Sequence, residues 1–207
     1  MIDNRASVPE PGRAGNRASA QISELVVVKF ARQDNAPRAL TPMLAAPIPA
    51  NDKERLAALR ALLILDTPPE ERYDAIVRFA AEQFDMPIAL VTLVDQSRQW
   101  FKARVGLEAC ETGREVSFCG HAIVQSEIFV IPDARQDPRF ADNPIVTGEP
   151  HVIFYAGAPL REPSGHTIGT LCLIDHQPRT LYATELAILA SLRDLLQEQL
   201  AGAEHHA

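Results

Sequence analysis

The sequence has few cysteines and lacks any long apolar run. Only three of its 207 residues are cysteine, at Cys110, Cys119 and Cys172, and none of them has CxxC spacing. This odd, scattered set argues against a disulfide framework and against a structural zinc centre. No stretch of about 18 apolar residues occurs, and the first residues lack the apolar core of a signal peptide. We therefore expect a cytoplasmic protein that does not interact with a membrane.

Basic residues are also scarce in the larger part of the chain. Residues 51–207 contain 14 lysines and arginines against 23 acidic residues, whereas residues 1–50 contain six against four. An acidic segment without a basic stripe makes nucleic acid an unexpected partner.

Residues 1–50 are predicted to form a disordered or weakly ordered tail. They contain six of the 16 prolines and a single aromatic residue, Phe30, so they bury too little apolar surface to offset the entropy of ordering. The β-prone run LVVVKF at residues 25–30 is an exception, suited to pairing with an exposed sheet edge. Length and a 46% hydrophobic composition suit one core. We expect one domain over 51–202 and a C-terminal tail over 203–207.

Residue periodicity predicts the order of elements within this domain. Leucine spacing after residue 51 predicts a first helix, and a helix-start signal at residues 67–70 predicts a second. A strand-like apolar run followed by a turn predicts a β-hairpin over 88–103. A short helix capped by Ser117, a second hairpin over 154–175 and a last helix over 183–200 follow. This order predicts an α+β fold, in which an antiparallel sheet carries the terminal helices on one face and the short helix with a long loop on the other.

The second hairpin indicates which side chains face that loop. If Leu160 pairs with Thr167, then Tyr155 lies opposite Cys172. Side chains alternate along a strand, so Thr170 shares this face. We assign Tyr155, Thr170 and Cys172 to the face beneath the short helix and the loop, an assignment that a slip of one residue would reverse.

Four segments carry a resemblance to a known family. They are DQSRQWFKARVGL (95–107), SFCGHAI (117–123), DPRFADNP (137–144) and FYAGAPLREPSGHTIGTLCLID (154–175). Together, and in this order, they resemble the GAF domain family, the small-molecule-sensing modules of bacterial signalling proteins. The similarity extends from about residue 51 to about residue 200, which makes Met43 an alternative translation start. The resemblance implies a stand-alone bacterial GAF domain protein with a GAF-like fold, whose ligand sits between the sheet and the short helix with its loop. It therefore implies that Tyr155, Thr170 and Cys172 are ligand-binding residues of that pocket.

Phe118, Cys119 and His121 follow the Ser117 cap and are candidate ligand contacts. At the second helical position, Cys119 would have a thiol pKa lowered by the helix dipole, which favours a metal site, a haem site or a reactive thiol. We do not expect Cys119 and His121 to bind the same metal, because residues two apart on a helix point to different sides. The alternative is that Cys119 is a small buried hydrophobe and His121 is hydrogen-bonded at the pocket edge. We predict no metal, and the cofactor is unknown.

The long loop before the second hairpin supplies three further candidates, Asp133, Arg139 and Phe140. Arg139 and Phe140 are suited to close over a ligand, and the forked donors of Arg139 suit an anionic group. Asp133 is suited to cap a turn. An ion pair between Arg139 and Asp137 or Asp142 is an equally good explanation for the arginine.

These features predict a regulatory domain that is not an enzyme. It would bind an unidentified small molecule, form a homodimer through its terminal helices and signal to a separate partner protein. The partner is required because the chain contains no kinase, cyclase or DNA-binding signature.

Two alternatives remain open. One is a thiol-dependent enzyme resembling the free methionine-(R)-sulfoxide reductases, which are GAF proteins. The separation of Cys110 and Cys119 resembles that of two of their cysteines, but the further cysteine is missing from residues 139–144. In addition, Tyr155 and Cys172 stand where those reductases carry carboxylates. The other alternative is a GAF-like dimerisation module whose pocket is filled by side chains.

Overall fold

The structure, a computed structural model, describes residues 43–202. Its elements, in chain order, are α1 (Asp52–Ala61), α2 (Glu71–Gln83), β1 (Ile88–Val94), β2 (Arg98–Val105), β3 (Glu111–Gly113), α3 (Phe118–Ala122), β4 (Phe129–Ile131), α4 (Pro144–Thr147), β5 (Phe154–Arg161), β6 (Thr167–Asp175) and α5 (Ala183–Gly202). Among these residues, no helix has both the length and the apolar character needed to cross a bilayer. The run at 25–30 and the tail at 203–207 lie outside the described residues.

A single antiparallel sheet of six strands organises the domain, in the order β3-β2-β1-β6-β5-β4. All seven residues of the central strand β1 are buried, which explains why its sequence, IALVTLV, is almost continuously apolar. Alternation along this strand directs Val91 and Leu93 to one face and Ile88 and Leu90 to the other. Each face therefore has its own hydrophobic core.

The terminal helices cover one face of the sheet. Leu59 of α1, Tyr73 and Val77 of α2, and Leu189 and Leu196 of α5 are fully buried in its core. The other face is covered by α3 and by the long segment that connects β4 to β5 and includes α4. The predicted α+β fold, with its two different layers, is confirmed.

A side-chain cap fixes the start of α3. The hydroxyl oxygen of Ser117 accepts a hydrogen bond from the amide of Gly120 at 2.8 Å, as the sequence predicted. With only five residues, α3 makes too few internal hydrogen bonds to be stable alone. Its position therefore depends on what it packs against.

The register of the β5–β6 hairpin corrects the predicted pairing by two residues. Tyr155 lies opposite Ile174, not opposite Cys172. At the turn, Arg161 rather than Leu160 pairs with Thr167, which shifts the register by one residue. A bulge between Leu160 and Arg161 shifts it by a second residue. Because a slip of two residues leaves the alternation of faces unchanged, Tyr155, Thr170 and Cys172 still share one face.

Candidate functional site

Seven of the nine predicted site residues lie together between the sheet and the α3 layer. We call this set the thiol–aromatic cluster; its members are Phe118, Cys119, His121, Phe140, Tyr155, Thr170 and Cys172. None is more than 5% exposed. None lines the cavities of about 420, 340 and 300 Å³ that lie elsewhere in the described residues. The predicted pocket residues are thus packed against one another.

Aromatic rings fill the middle of the cluster. The ring centroids of Phe118 and Phe140 lie 4.0 Å apart, with planes 11° from parallel. The Tyr155 ring centroid lies 5.2 Å from that of Phe118 in a tilted arrangement, and the His121 and Phe140 rings meet in a T-shaped contact at 4.8 Å. Such offset and edge contacts stabilise aromatic groups beyond the burial of their area. Phe140 is therefore one of the contacts that join the long segment to α3.

Polar atoms occupy the floor of the cluster. The sulfur of Cys119 lies 3.8 Å from the sulfur of Cys172 and accepts a hydrogen bond from the Tyr155 hydroxyl at 3.3 Å. Beside them, the hydroxyls of Thr92 and Thr170 lie 3.0 Å apart. These thiols and hydroxyls give a buried surface that can hydrogen-bond to a ligand if the rings move. Over residues 43–202, no group of three or more His, Cys, Asp or Glu side chains is placed to hold a metal ion.

The two thiols differ in acidity. Burial raises the pKa of the Cys119 thiol, but hydrogen bonds, led by the one with Cys172, outweigh burial and lower the pKa to about 7. Burial and the hydrogen bond with Cys119 raise the pKa of Cys172 well above its usual range. Burial also raises the pKa of Tyr155. Cys119 is therefore the more acidic of the two thiols.

Arg139 and Asp133 are not members of this cluster. Arg139 lies at its edge, with its guanidinium 5.3 Å from the centre of the Phe140 ring, and donates to Asp137 through Nε and Nη2 at 2.9 and 2.6 Å. The alternative of an Arg139–Asp137 ion pair is thus the arrangement found. Asp133 instead pairs with the exposed Arg135 at 2.8 Å.

The helix α3 also holds the segment that precedes α1, a contact that sequence reasoning missed. His121 Nε2 donates to the carbonyl of Leu44 at 3.2 Å, and the amide of Ala46 donates to the carbonyl of Glu115 at 3.1 Å. A Cβ atom on Gly120 would lie 2.5 Å from the Ala46 Cβ, so the approach requires glycine. The glycine in the middle of a short helix was the sequence signal for this contact.

A buried ion cluster provides a second link to α1. Arg114, just before α3, donates through both Nη atoms to the Asp52 carboxylate at 2.9 Å, and Arg55 Nε donates to the same carboxylate at 2.7 Å. Burial raises the pKa of Asp52, but the hydrogen bonds from the two arginines outweigh it and lower that pKa. Asp52 and Arg114 lie 62 residues apart in the sequence and carry no local signal that would have predicted their contact.

A characterised relative comes from Pseudomonas aeruginosa. The chain is 40% identical over 159 residues to the cyclic di-GMP phosphodiesterase PA2567. The match covers 76% of this chain and 27% of that protein, so the chain spans about a quarter of the relative's length.

Solved structures share the fold at low sequence identity. The GAF domain of an Acinetobacter phosphoenolpyruvate-protein phosphotransferase matches with a TM-score of 0.57 at 21% identity, covering 74% of this chain and 96% of that one. The free methionine-R-sulfoxide reductase of Neisseria meningitidis matches with a TM-score of 0.52 at 18% identity, covering 79% and 98%. One neighbour is an enzyme and the other is a single domain of a larger enzyme, so the fold does not decide whether this chain is catalytic.

The family is shown by the sequence. The family model for the GAF domain matches residues 68–200, which is more than half of the chain and includes the sheet, α3 and α5. This match agrees with the resemblance of the four segments and with the fold of the solved neighbours. The chain belongs to the GAF domain family.

Proposed function

We propose that this GAF domain is a regulatory module of cyclic di-GMP signalling that binds a small molecule at the thiol–aromatic cluster. The observation that carries this proposal is the double role of α3. The helix places Phe118 and Cys119 in the cluster, and the same five residues place Gly120 and His121 against the segment before α1. A change at the cluster therefore has a short route to the N-terminal side of the domain.

Ligand entry requires the aromatic stack to open. Phe140 is fully buried against Phe118, so a ligand must separate these rings before it reaches the thiols and hydroxyls beneath. Ligand binding would then shift a population from the closed arrangement to an open one. Rings, thiols and hydroxyls suit a partly apolar molecule with one or two hydrogen-bonding groups.

The relative supports an output partner for this domain. The match covers 27% of the phosphodiesterase, and we propose that the domain likewise acts on a catalytic segment, in the same protein or in another. The domain itself would be regulatory, and the displacement of α3 and of the segment before α1 would be its signal.

Hydrogen exchange at Ala46 provides the test. We expect a metabolite that raises the melting temperature to change the exchange rate of the Ala46 amide, which bonds to Glu115 beside α3. In Gly120→Ala, the added methyl would meet Ala46 at 2.5 Å and push the segment away. That variant should show fast exchange at Ala46 with or without the metabolite. The measurement is hydrogen exchange with mass spectrometry, after a thermal-shift screen of metabolites and native mass spectrometry of protein purified from its source.

Gly202→Ala serves as the matched control, since a methyl there meets nothing within 4 Å. This variant should respond to the metabolite like the wild type. A ligand that stabilises the domain without altering exchange at Ala46 would contradict the proposed route, and the absence of any stabilising metabolite would contradict ligand binding.

Dimerisation through the terminal helices is part of the proposal. The outer face of α5 exposes Ala187, Ser191 and Leu195, with Ile188 and Leu192 partly buried beside them. Small and apolar residues at this spacing suit close packing against a second helix. We propose that this face pairs two copies of the domain.

Leu195→Glu is expected to convert such a dimer into a monomer. Leu195 is 42% exposed, and two carboxylates brought together in an apolar contact would each lose hydration. Light scattering after gel filtration should give twice the 22.7 kDa chain mass for the wild type and a single chain mass for the variant. Leu63→Glu, at an exposed position before α2, should stay dimeric. Equal masses for Leu195→Glu and the wild type would contradict this interface.

The dense packing of the cluster favours the filled-pocket module as the second candidate. Its seven residues are already buried by one another, so a purely structural role needs no rearrangement. This candidate predicts a dimer and no stabilising metabolite, which separates it from the first.

The reductase alternative has less support, because the 1% exposed Cys119 contacts Cys172, whereas Cys110 is exposed.

A further inference from the structure

A second candidate site lies at the start of α1, away from the thiol–aromatic cluster. A cavity of about 420 Å³ opens between the N-terminus of α1, the segment after α3 and the turn between β5 and β6. Its polar lining consists of Asn51, Arg55, Gln125, Ser126 and Thr167. Cavities of this size suit small metabolites.

The charge beside this cavity is unbalanced. Arg55 and Arg114 are 1% and 3% exposed, and they share the single carboxylate of Asp52. The nearby carboxylate of Asp95 is turned towards other arginines, at 3.4 Å from Arg60 and 3.7 Å from Arg98. Two buried cations thus share one partly exposed anion, and Arg114 also donates to the carbonyls of Asp95 and Gln96 at 3.3 Å. Buried charges are normally paired, so Arg55, which has no carboxylate of its own, can accept a further anion as its partner.

Arg55 also has unused hydrogen-bonding capacity. Its Nε donates to Asp52 and its Nη1 donates to the carbonyl of Val94 at 2.6 Å. Its Nη2 is buried and has no partner among residues 43–202. Arg55 is the one charged residue that lines the cavity in this part of the chain. Because leaving a charged donor unpaired is unfavourable, Arg55 Nη2 is expected to find an oxygen acceptor, directly or through one water.

The rim of the cavity offers neutral donors. Asn51 precedes α1 without capping it through its side chain, and the hydroxyls of Ser126 and Thr167 make no hydrogen bond to the described residues. The first amides of the ten-residue helix α1 start at the same place, where the helix dipole favours negative charge. Donors from three different elements thus converge on one cavity.

We propose that this cavity binds the carboxylate or phosphate group of a small metabolite. The anion would face the guanidinium of Arg55 and accept hydrogen bonds from Ser126, Thr167 and Asn51. This site is separate from the thiol–aromatic cluster and does not rest on the function proposed for that cluster. Because the cavity adjoins the start of α1, a bound anion would also act on the N-terminal side of the domain.

A titration of the full chain with simple anions tests the proposal. Sodium phosphate and sodium acetate are added at constant ionic strength, with sodium chloride as the balancing salt, while ¹H–¹⁵N correlation spectra are recorded. We expect saturable shifts of the Ser126 and Gly165 amides with at least one of the two anions. Thr167→Val keeps the shape of the side chain and removes the hydroxyl, so it should weaken binding about tenfold. Arg55 is left unchanged, because its ion pair supports the fold.

Thr184→Val on the exposed start of α5 is the matched control and should bind like the wild type. A preference for phosphate or for acetate would identify the charged group of the metabolite. Shifts that do not saturate, that chloride reproduces, or that are equal in Thr167→Val would overturn the proposal. Saturable shifts confined to Phe140 and Tyr155 would also overturn it, since they would place the anion in the cluster instead.

Discussion

Phe140→Ala is expected to destabilise the domain by about 3–5 kcal/mol, because it leaves a cavity inside a closed aromatic cluster. The ring is fully buried, stacks on Phe118 and contacts the edge of His121. Its removal detaches the long segment between β4 and β5 from α3. Urea unfolding followed by circular dichroism gives the change in the free energy of unfolding.

Phe79→Ala makes the matched comparison for this variant. Phe79 is 50% exposed on α2, so the same truncation there should cost about 1 kcal/mol or less. The Phe140→Ala cavity should also admit small apolar molecules, seen as a gain in melting temperature on adding benzene or indole. Equal losses for the two variants would show that the Phe118–Phe140 stack is not part of the folded core.

Asp52→Asn should have a comparably large effect, since it leaves two buried guanidinium groups without their shared carboxylate. Removing one partner of a buried ion pair costs about 3–5 kcal/mol. Asp133→Asn is the control, because Asp133 has an equally short pair with Arg135 on the surface. An exposed pair contributes about 1 kcal/mol or less. Urea unfolding at pH 7 measures both variants.

The same pair predicts a pH dependence with a definite sign. The arginines lower the pKa of Asp52 in the folded state, so the unfolded chain binds its proton at a higher pH than the folded chain. The stability from this carboxylate is therefore complete above its unfolded pKa of about 4 and is lost as the pH falls through the folded pKa. The gap between wild type and Asp52→Asn should close in that range. A constant gap down to pH 2 would contradict the pairing.

Local patterns were sufficient to predict most of the fold. The continuous apolar run of β1 predicted a strand with both faces covered, and Ser117 predicted the start of α3 through its cap. The shared face of Tyr155, Thr170 and Cys172 was predicted correctly although the register was wrong, since alternation depends only on whether the slip is even. Each of these predictions needs only neighbouring residues.

The features that the sequence did not predict depend on contacts between residues that are far apart in the chain. No local pattern shows that Asp52 will meet Arg114, because a carboxylate at the start of a helix is explained equally well by the helix dipole. Residues 43–50 contain prolines and no aromatic residue, which predicted a tail, yet Leu44 and Ala46 are bonded to α3 and its approach. The closed state of the cluster depends on how side chains of separate elements fill space, and composition does not encode that.

The strand order has a consequence for synthesis of the chain. The central strand β1 has β2 on one side from early in translation, but its other neighbour is β6, which is made near the end of the domain. Pairing across so much sequence is slow, because the long intervening loop must close first. Until Thr167–Asp175 has left the ribosome, the nascent β1–β2 hairpin exposes an apolar strand with an unpaired edge. Folding of this domain is therefore expected to be completed only after β6 has left the ribosome, and to depend on protection of the β1 edge until then.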